Sequence, residues 1–247
     1  MSFDDEISQL IEEKKYIFDC GDSVLHYILA SNTDETANEY LVKTLALLPQ
    51  ELIDYQNKNS LTALLYACYK GYYNCIKTLI GHNADVNIQF KNKSGRTHPV
   101  VYVLKNFALD EEKQIELLKL FVSHGLCPYD LDSDGNSLLH LAAYGNNELF
   151  KTAFEYQKNH NIMNRHNESP LDIYCWFRSD LEDLLWLLKN TKKHLSVTKG
   201  IRNTPCHYLS AKGNKPVLGY ICRVFPEMNK PNTGKLKPRE TLDKYLK

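Results

Sequence analysis

The apolar and polar positions of this chain fall into short helical blocks rather than alternating strands. Cys75, Ile76, Leu79 and Ile80 recur at the three-and-four spacing of a single helix face, as do Leu181, Leu184, Leu185 and Leu188. Ile7, Leu10 and Ile11 share that spacing within the charged segment from Asp4 to Asp19, which predicts an N-terminal helix. Small residues that allow close helix approach (Ala67 and Cys68, Ala142 and Ala143) precede Gly71, Gly145 and Gly213. Each of these glycines is expected to end a first helix in the left-handed conformation, with Asn83 and Gly125 ending second helices in the same way. Helices this short cannot bury an apolar face alone, so they must cover one another in series.

The blocks repeat. Residues 57–89 read NKNSLTALLYACYKGYYNCIKTLIGHNADVNIQ, one period of 33 residues. The same frame returns in SDGNSLLHLAAYGN from Ser133, NESPLDIYC from Asn167 and RNTPCHYLSAKGN from Arg202. Weaker copies read GDSVLHYIL from Gly21, SGRTHPVVYVL from Ser94 and RETLDKYL from Arg239. The first-helix anchors fall at Ser23, Thr62, Thr97, Ser137, Ser169, Thr204 and Glu240, with spacings of 39, 35, 40, 32, 35 and 36 residues. Uneven spacing in a constant frame indicates loop insertions on a regular scaffold. An anchor Ser or Thr caps the first helix through its hydroxyl, and Pro170 and Pro205 take the first-turn position, where no amide donor is needed. Thr36 with Glu39, and Ser179 with Glu182, are expected capping boxes for second helices.

Taken together, these motifs resemble the ankyrin-repeat family over residues 20–247. The resemblance implies an all-α fold, an ankyrin-repeat solenoid of stacked helix pairs with projecting β-hairpin-like loops. An N-terminal capping helix would occupy residues 1–19, and approximate repeats 20–56, 57–89, 90–131, 132–164, 165–198, 199–231 and 232–247. His26, His140 and His207 stand at the family's motif histidine, where the imidazole links a repeat's own cap to the neighbouring hairpin; Leu65 and Asp172 replace it in two copies. The implied function is a non-catalytic protein–protein interaction scaffold or adaptor whose partner meets a concave groove of hairpin tips and first-helix ends. Tyr69, Tyr144 and Trp176 align at one late position of successive first helices, followed by Lys70, Gly145 and Phe177, with Tyr72 and Tyr73 beside the first of them. Aromatic side chains bury much area for few frozen torsions, which makes this row the candidate partner site. Asn87 occupies the hairpin position that resembles sites of asparagine hydroxylation in some family members, and is a candidate for that modification.

Composition narrows the reading. The chain is 43% hydrophobic and 24% charged, ordinary for a folded protein. No apolar run approaches the roughly 18 residues that span a bilayer, and the acidic N-terminus lacks the pattern of a secretory signal, so a cytoplasmic location is expected. Seven scattered cysteines without a C-x-x-C pair give no disulfide framework or zinc cage and are read as reduced. Phosphate-loop, dinucleotide, zinc-protease and serine-hydrolase motifs are all missing, and no cofactor is expected. Cys206 beside His207 is not a nucleophile and base, because adjacent helical residues point about 100° apart.

Net charge is zero, but residues 1–188 carry 16 basic and 27 acidic residues, against 14 basic and 3 acidic in residues 189–247. A second reading therefore has Lys189, Lys192, Lys193, Lys199, Arg202, Lys212 and Lys215 meet an anionic surface: an acidic protein, phospholipid or nucleic acid. A third makes the chain the regulatory subunit of an enzyme complex. Lysine- and asparagine-rich composition with divergent repeats raises a narrower expectation, a host-directed effector of an intracellular pathogen delivered into the host cytosol. Alone, the chain is expected to be monomeric.

Overall fold

A computed structural model describes residues 3–92, 95–106, 108–160, 162–177, 181–190, 204–211, 213, 215–232, 235 and 237–238. Its contacts divide the chain into two compact units, Met1–Cys127 with Leu131–Ser133, and Pro128–Asp130 with Asp134–Lys247.

The first unit holds α1 (Phe3–Glu12), α2 (Val24–Ser31), α3 (Asp34–Leu45), a 3-10 turn (Gln50–Leu52), α4 (Ala63–Lys70), α5 (Tyr73–Gly81), β1 (Phe90–Asn92), β2 (Gly95–Thr97), α6 (Pro99–Lys105) and α7 (Glu111–Ser123). First helices pack on first helices, α2 on α4 and α4 on α6, while second helices do likewise, α3 on α5 and α5 on α7. Each pair is closed by its own contact, and α1 lies against α3. The apolar faces predicted from spacing meet inside: Cys75, Ile76, Leu79 and Ile80 are fully buried, and Ala67 and Cys68 sit where the helices approach.

In the second unit, α8 (Leu138–Tyr144), α10 (Pro170–Phe177) and α12 (Pro205–Ala211) pack in succession. Helix α9 (Asn147–Tyr156) pairs with α8, and α13 (Lys215–Val224) pairs with α12. Helix α11 (Leu181–Asn190) and a 3-10 turn (Pro226–Asn229) complete it. Tyr174, Phe150 and Leu139 anchor its core. The seventh anchor, Glu240, lies outside the described residues, as does Ser179 of one expected capping box. Among the described residues, no helix is long and apolar enough to cross a membrane.

The class is the all-α one expected, with a single small exception. Strands β1 and β2 form an antiparallel ribbon in which Phe90 faces Thr97, Lys91 faces Arg96 and Asn92 faces Gly95. This ribbon corrects the third anchor. Thr97 belongs to the strand, and α6 is capped one residue later by His98, with Pro99 at its first turn. Proline holds the residue before it in extended backbone, here φ −79° and ψ 155°, which is the conformation a cap requires.

Two other local expectations also change. Helix α3 begins a turn earlier than the Thr36–Glu39 pair implied: Thr33 is the cap and Thr36 its capping-box partner. Gly71, Asn83, Gly125 and Gly213 are left-handed, with φ of 73°, 65°, 83° and 73°, but Gly145 has φ −78° and ψ −151°. The next residue, Asn146, already caps α9, its amide oxygen accepting from Leu149 N–H at 2.6 Å. With no loop to turn through, the chain passes between α8 and α9 in extended backbone.

Candidate interaction surface

The motif histidines are structural. His26 Nδ1 accepts from Ser23, 2.8 Å from its hydroxyl, and His26 Nε2 lies 2.9 Å from the carbonyl oxygen of Leu61. A carbonyl only accepts, so the proton is on Nε2 and the ring is neutral. Burial lowers the His26 pKa below its ordinary value, in keeping with that tautomer. His140 repeats the arrangement, 2.7 Å from Ser137 Oγ and 2.9 Å from the Glu168 carbonyl oxygen. His207 Nδ1 accepts from Thr204 N–H at 2.9 Å. Cys206 is buried with its Sγ 3.2 Å from Cys222 Sγ, within the α12–α13 pair. The His207 Nδ1 lone pair is directed to the helix cap.

Where the histidine is replaced, the cap survives. Leu65 N–H still donates to Thr62 Oγ1 at 3.1 Å. Asp172 Oδ2 accepts from Ser169 N–H at 2.9 Å and from its hydroxyl at 2.7 Å. A carboxylate cannot donate onward to a carbonyl. Burial raises the Asp172 pKa, with the Ser169 hydrogen bonds opposing it.

The predicted aromatic residues divide into two kinds. Tyr69, Tyr144, Trp176 and Phe177 are exposed, at 66%, 47%, 51% and 51% of their surface. Each nonetheless leans on another ring. In the first unit Tyr69 meets Tyr102 edge-on at 5.9 Å between centroids. In the second, Trp176 meets Tyr208 edge-on at 6.1 Å and Tyr144 meets Phe177 at 5.2 Å. Tyr72 and Tyr73 are instead tied into the scaffold. The Tyr72 hydroxyl donates to the Asn32 carbonyl at 2.8 Å, and the Tyr73 hydroxyl donates to Glu116, which also pairs with Lys77 at 2.6 Å. Burial, then the Glu116 bond, raises the Tyr73 pKa. Lys70 sits exposed over the rings of Tyr66 and Tyr72, 5.8 and 5.9 Å from their centroids.

Tyr102 and Tyr208 were not singled out in the sequence, yet a signal for them exists. Counted from the caps Ser23, Thr62, His98 and Thr204, the fourth residue onward is Tyr27, Tyr66, Tyr102 and Tyr208, all half-buried. Placing the third anchor at Thr97 shifts Tyr102 out of this column and hides it.

Of the predicted basic cluster, Lys189 at the end of α11 and Lys215 at the start of α13 are exposed. Lys192, Lys193, Lys199, Arg202 and Lys212 lie outside the described residues. The Asn87 amide bridges to the next repeat, donating to the Gly125 carbonyl at 3.0 Å and accepting from Cys127 N–H at 2.9 Å. Cys68, Cys75, Cys175 and Cys206 are buried, whereas Cys20 and Cys127 are exposed. Among the described residues, no group of three or more His, Cys, Asp or Glu side chains is placed to hold a metal ion.

A family model described as ankyrin repeats (3 copies) matches residues 3–90. Among solved structures, the crystal structure of the human ASB11 ankyrin repeat domain is similar to this chain at 17% identity and a TM-score of 0.63. That match covers 91% of this chain and 96% of that one, and so carries the fold likeness beyond the residues that the family model reaches. Residues 3–90 carry ankyrin repeats by their motifs, and over nearly its whole length the chain has the fold of an ankyrin repeat domain.

Proposed function

We propose that the chain is a non-catalytic scaffold that captures another protein through aromatic residues on the exposed ends of its first helices. Ankyrin repeats generally serve as protein-interaction modules, and each unit of this fold offers such a partner exposed first-helix ends. The observation that carries the reading is the way the exposed rings are held. Tyr69 and Trp176 stand out from the surface, and each is braced edge-on by the half-buried tyrosine of the following first helix. A ring fixed before binding loses little torsional freedom on contact, so its buried area converts to affinity with less entropic loss. Edge-to-face pairs of this kind contribute about 0.5–1.5 kcal/mol beyond burial.

The test is affinity capture from cell lysate, read by mass spectrometry, with a Tyr69→Ala, Tyr144→Ala, Trp176→Ala chain alongside. The partner's signal should fall by about tenfold or more, since hot-spot truncations each cost about 2 kcal/mol or above. The unfolding midpoint should fall by no more than the loss of the two edge pairs implies, about 1–3 kcal/mol together, because these side chains are 47–66% exposed. Equal capture by both chains would remove the aromatic edge from consideration.

A second reading draws on charge alone. The excess of 14 basic over 3 acidic residues in positions 189–247 supports contact with an anionic surface through Lys189, Lys215 and the neighbouring lysines. Its dependence on salt separates it from the first.

A further inference from the structure

A polar recess opens on the hairpin side of the first unit. It has a volume of about 380 Å³ and is lined by Gln56, Ser60, Asn87, Gln89, Lys91 and Arg96. Among the described residues, no carboxylate lines it. Lys91 and Arg96 are direct partners across the β1–β2 ribbon, so both cations rise from one face of the two strands. An anion placed between them would meet two positive charges at once.

The walls are built rather than loose. Asn87 is fixed by its two bonds to Gly125 and Cys127, and Gln89 Nε2 lies 2.8 Å from His98 Nε2. Ser60 sits at a tight turn with φ 61°, where Asn57 Oδ1 accepts from Asn59 N–H at 2.9 Å and Leu61 N–H at 3.0 Å. Against these committed groups, the side chains of Gln56, Ser60 and Lys91 make no hydrogen bond or ion pair with any described residue. Arg96 already has a partner of its own, so the open donors of the recess are those of Lys91, Ser60 and Gln56, and three hairpin carboxylates have contacts outside the recess. Asp54 accepts from Asp85 N–H at 2.9 Å, Asp85 from Asn87 N–H at 2.8 Å, and Asp132 lies 3.4 Å from Lys105 Nζ.

We propose that this recess is an anion subsite that takes a negatively charged side chain from an extended segment of the protein partner, held between Lys91 and Arg96 with Ser60 and Gln56 donating. The inference rests on the protein-binding reading and adds the chemistry of what is bound: a carboxylate of Asp or Glu, or a phosphorylated residue. Charge-assisted bonds from a lysine and an arginine suit either oxyanion. The site differs from the basic stretch at residues 189–247 both in sequence and in being assembled from ribbon and hairpin.

The experiment uses the full chain, isotopically labelled, titrated in an NMR tube with three blocked peptides: tetraglutamate, a phosphoserine tripeptide and tetraglutamine. Saturable shifts are expected at the amides of Ser60, Gln89, Lys91 and Arg96 with a charged peptide, and none with tetraglutamine. Response to phosphoserine alone identifies a phosphorylated residue as the source; response to tetraglutamate identifies an acidic side chain. Lys91→Glu, an exposed change that leaves the core untouched, should weaken binding at least fivefold, and Arg96→Gln should do so too. Unaltered affinity in both variants, or shifts spread over lysines outside the recess, would overturn the proposal. The Tyr69, Tyr144, Trp176 alanine chain keeps the recess and should keep these shifts, so loss of the aromatic edge and loss of the anion subsite are read separately.

Discussion

At the motif position of the first helix, His26 and Asp172 perform the same capping task with groups that answer acid in opposite senses. Burial lowers the pKa of His26, so as pH falls the unfolded chain takes up the proton first, near pH 6.5. Stability rises with pH wherever the unfolded state binds more protons. The His26 contribution is therefore full above that point, shrinks as pH drops through it, and stops changing once the folded imidazole is also charged. Asp172 has its pKa raised, so the unfolded carboxyl ionises first as pH climbs through about 3.9. Its contribution is greatest in acid and declines as pH rises toward the folded pKa. Two substitutions read these signs. The stability gap between wild type and His26→Gln should narrow between pH 7.5 and 5.5 in urea titrations. Asp172→Asn, whose amide oxygen can still accept from Ser169, should gain on wild type from pH 3.5 to 7. A gap that stays constant across either window would remove the corresponding burial argument.

Single helices in this protein are not self-sufficient, and their borrowed parts are what sequence patterns miss. Helix α5 starts after Tyr72, which supplies no side-chain cap. Its first amides are met from the preceding repeat: Asp34 Oδ2 accepts from Asn74 N–H at 3.0 Å, and Asp34 Oδ1 from Cys75 N–H at 3.1 Å. A local search for Ser, Thr or Asp before an apolar block finds Thr62 and Ser137, but cannot find a carboxylate some forty residues away. The Thr36–Glu39 expectation failed for a related reason, since two threonines three residues apart offer the same motif in two registers. Asp34→Ala should cost about 1–2 kcal/mol, the range for losing an N-cap, although no buried apolar contact is lost. Equilibrium urea unfolding would show it, and an unchanged midpoint would mean that water replaces the carboxylate. The helix ends give a paired contrast. Gly125, with φ 83° and open space where a side chain would go, is held by backbone conformation alone, so Gly125→Ala should destabilise by about 1 kcal/mol. Gly81, in ordinary helical backbone with equal space, should accept alanine with a gain of up to about 1 kcal/mol.

Across the whole molecule, the repeat frame was readable because it rests on periodicity. Anchors, small residues and helix stops recur often enough that one misplaced copy at Thr97 did not disturb the fold class. The candidate surface was readable only where an aromatic residue fell at the same late position in several copies, as with Tyr69, Tyr144 and Trp176. The bracing tyrosines depended on the corrected third cap, and the anion recess depends on a ribbon that no repeat pattern encodes. Charge was visible in full, 27 acidic against 16 basic residues up to position 188 and 3 against 14 beyond it, but charge alone does not say whether it is used. Salt decides that. If the lysines after position 188 carried binding through phosphate contacts, six or more of them would cost about 10³-fold or more in affinity between 50 and 200 mM salt. A braced aromatic edge gains its energy from buried area, which salt screens little, and a single charged side chain in the recess adds only a shallow slope. Capture of the protein partner should therefore weaken by less than about tenfold over that range. The Tyr69, Tyr144, Trp176 alanine chain should lose capture equally at both salts, because what it lacks is area rather than charge. A steep salt slope in the wild-type chain, retained after the aromatic residues are removed, would instead assign the binding energy to the basic stretch.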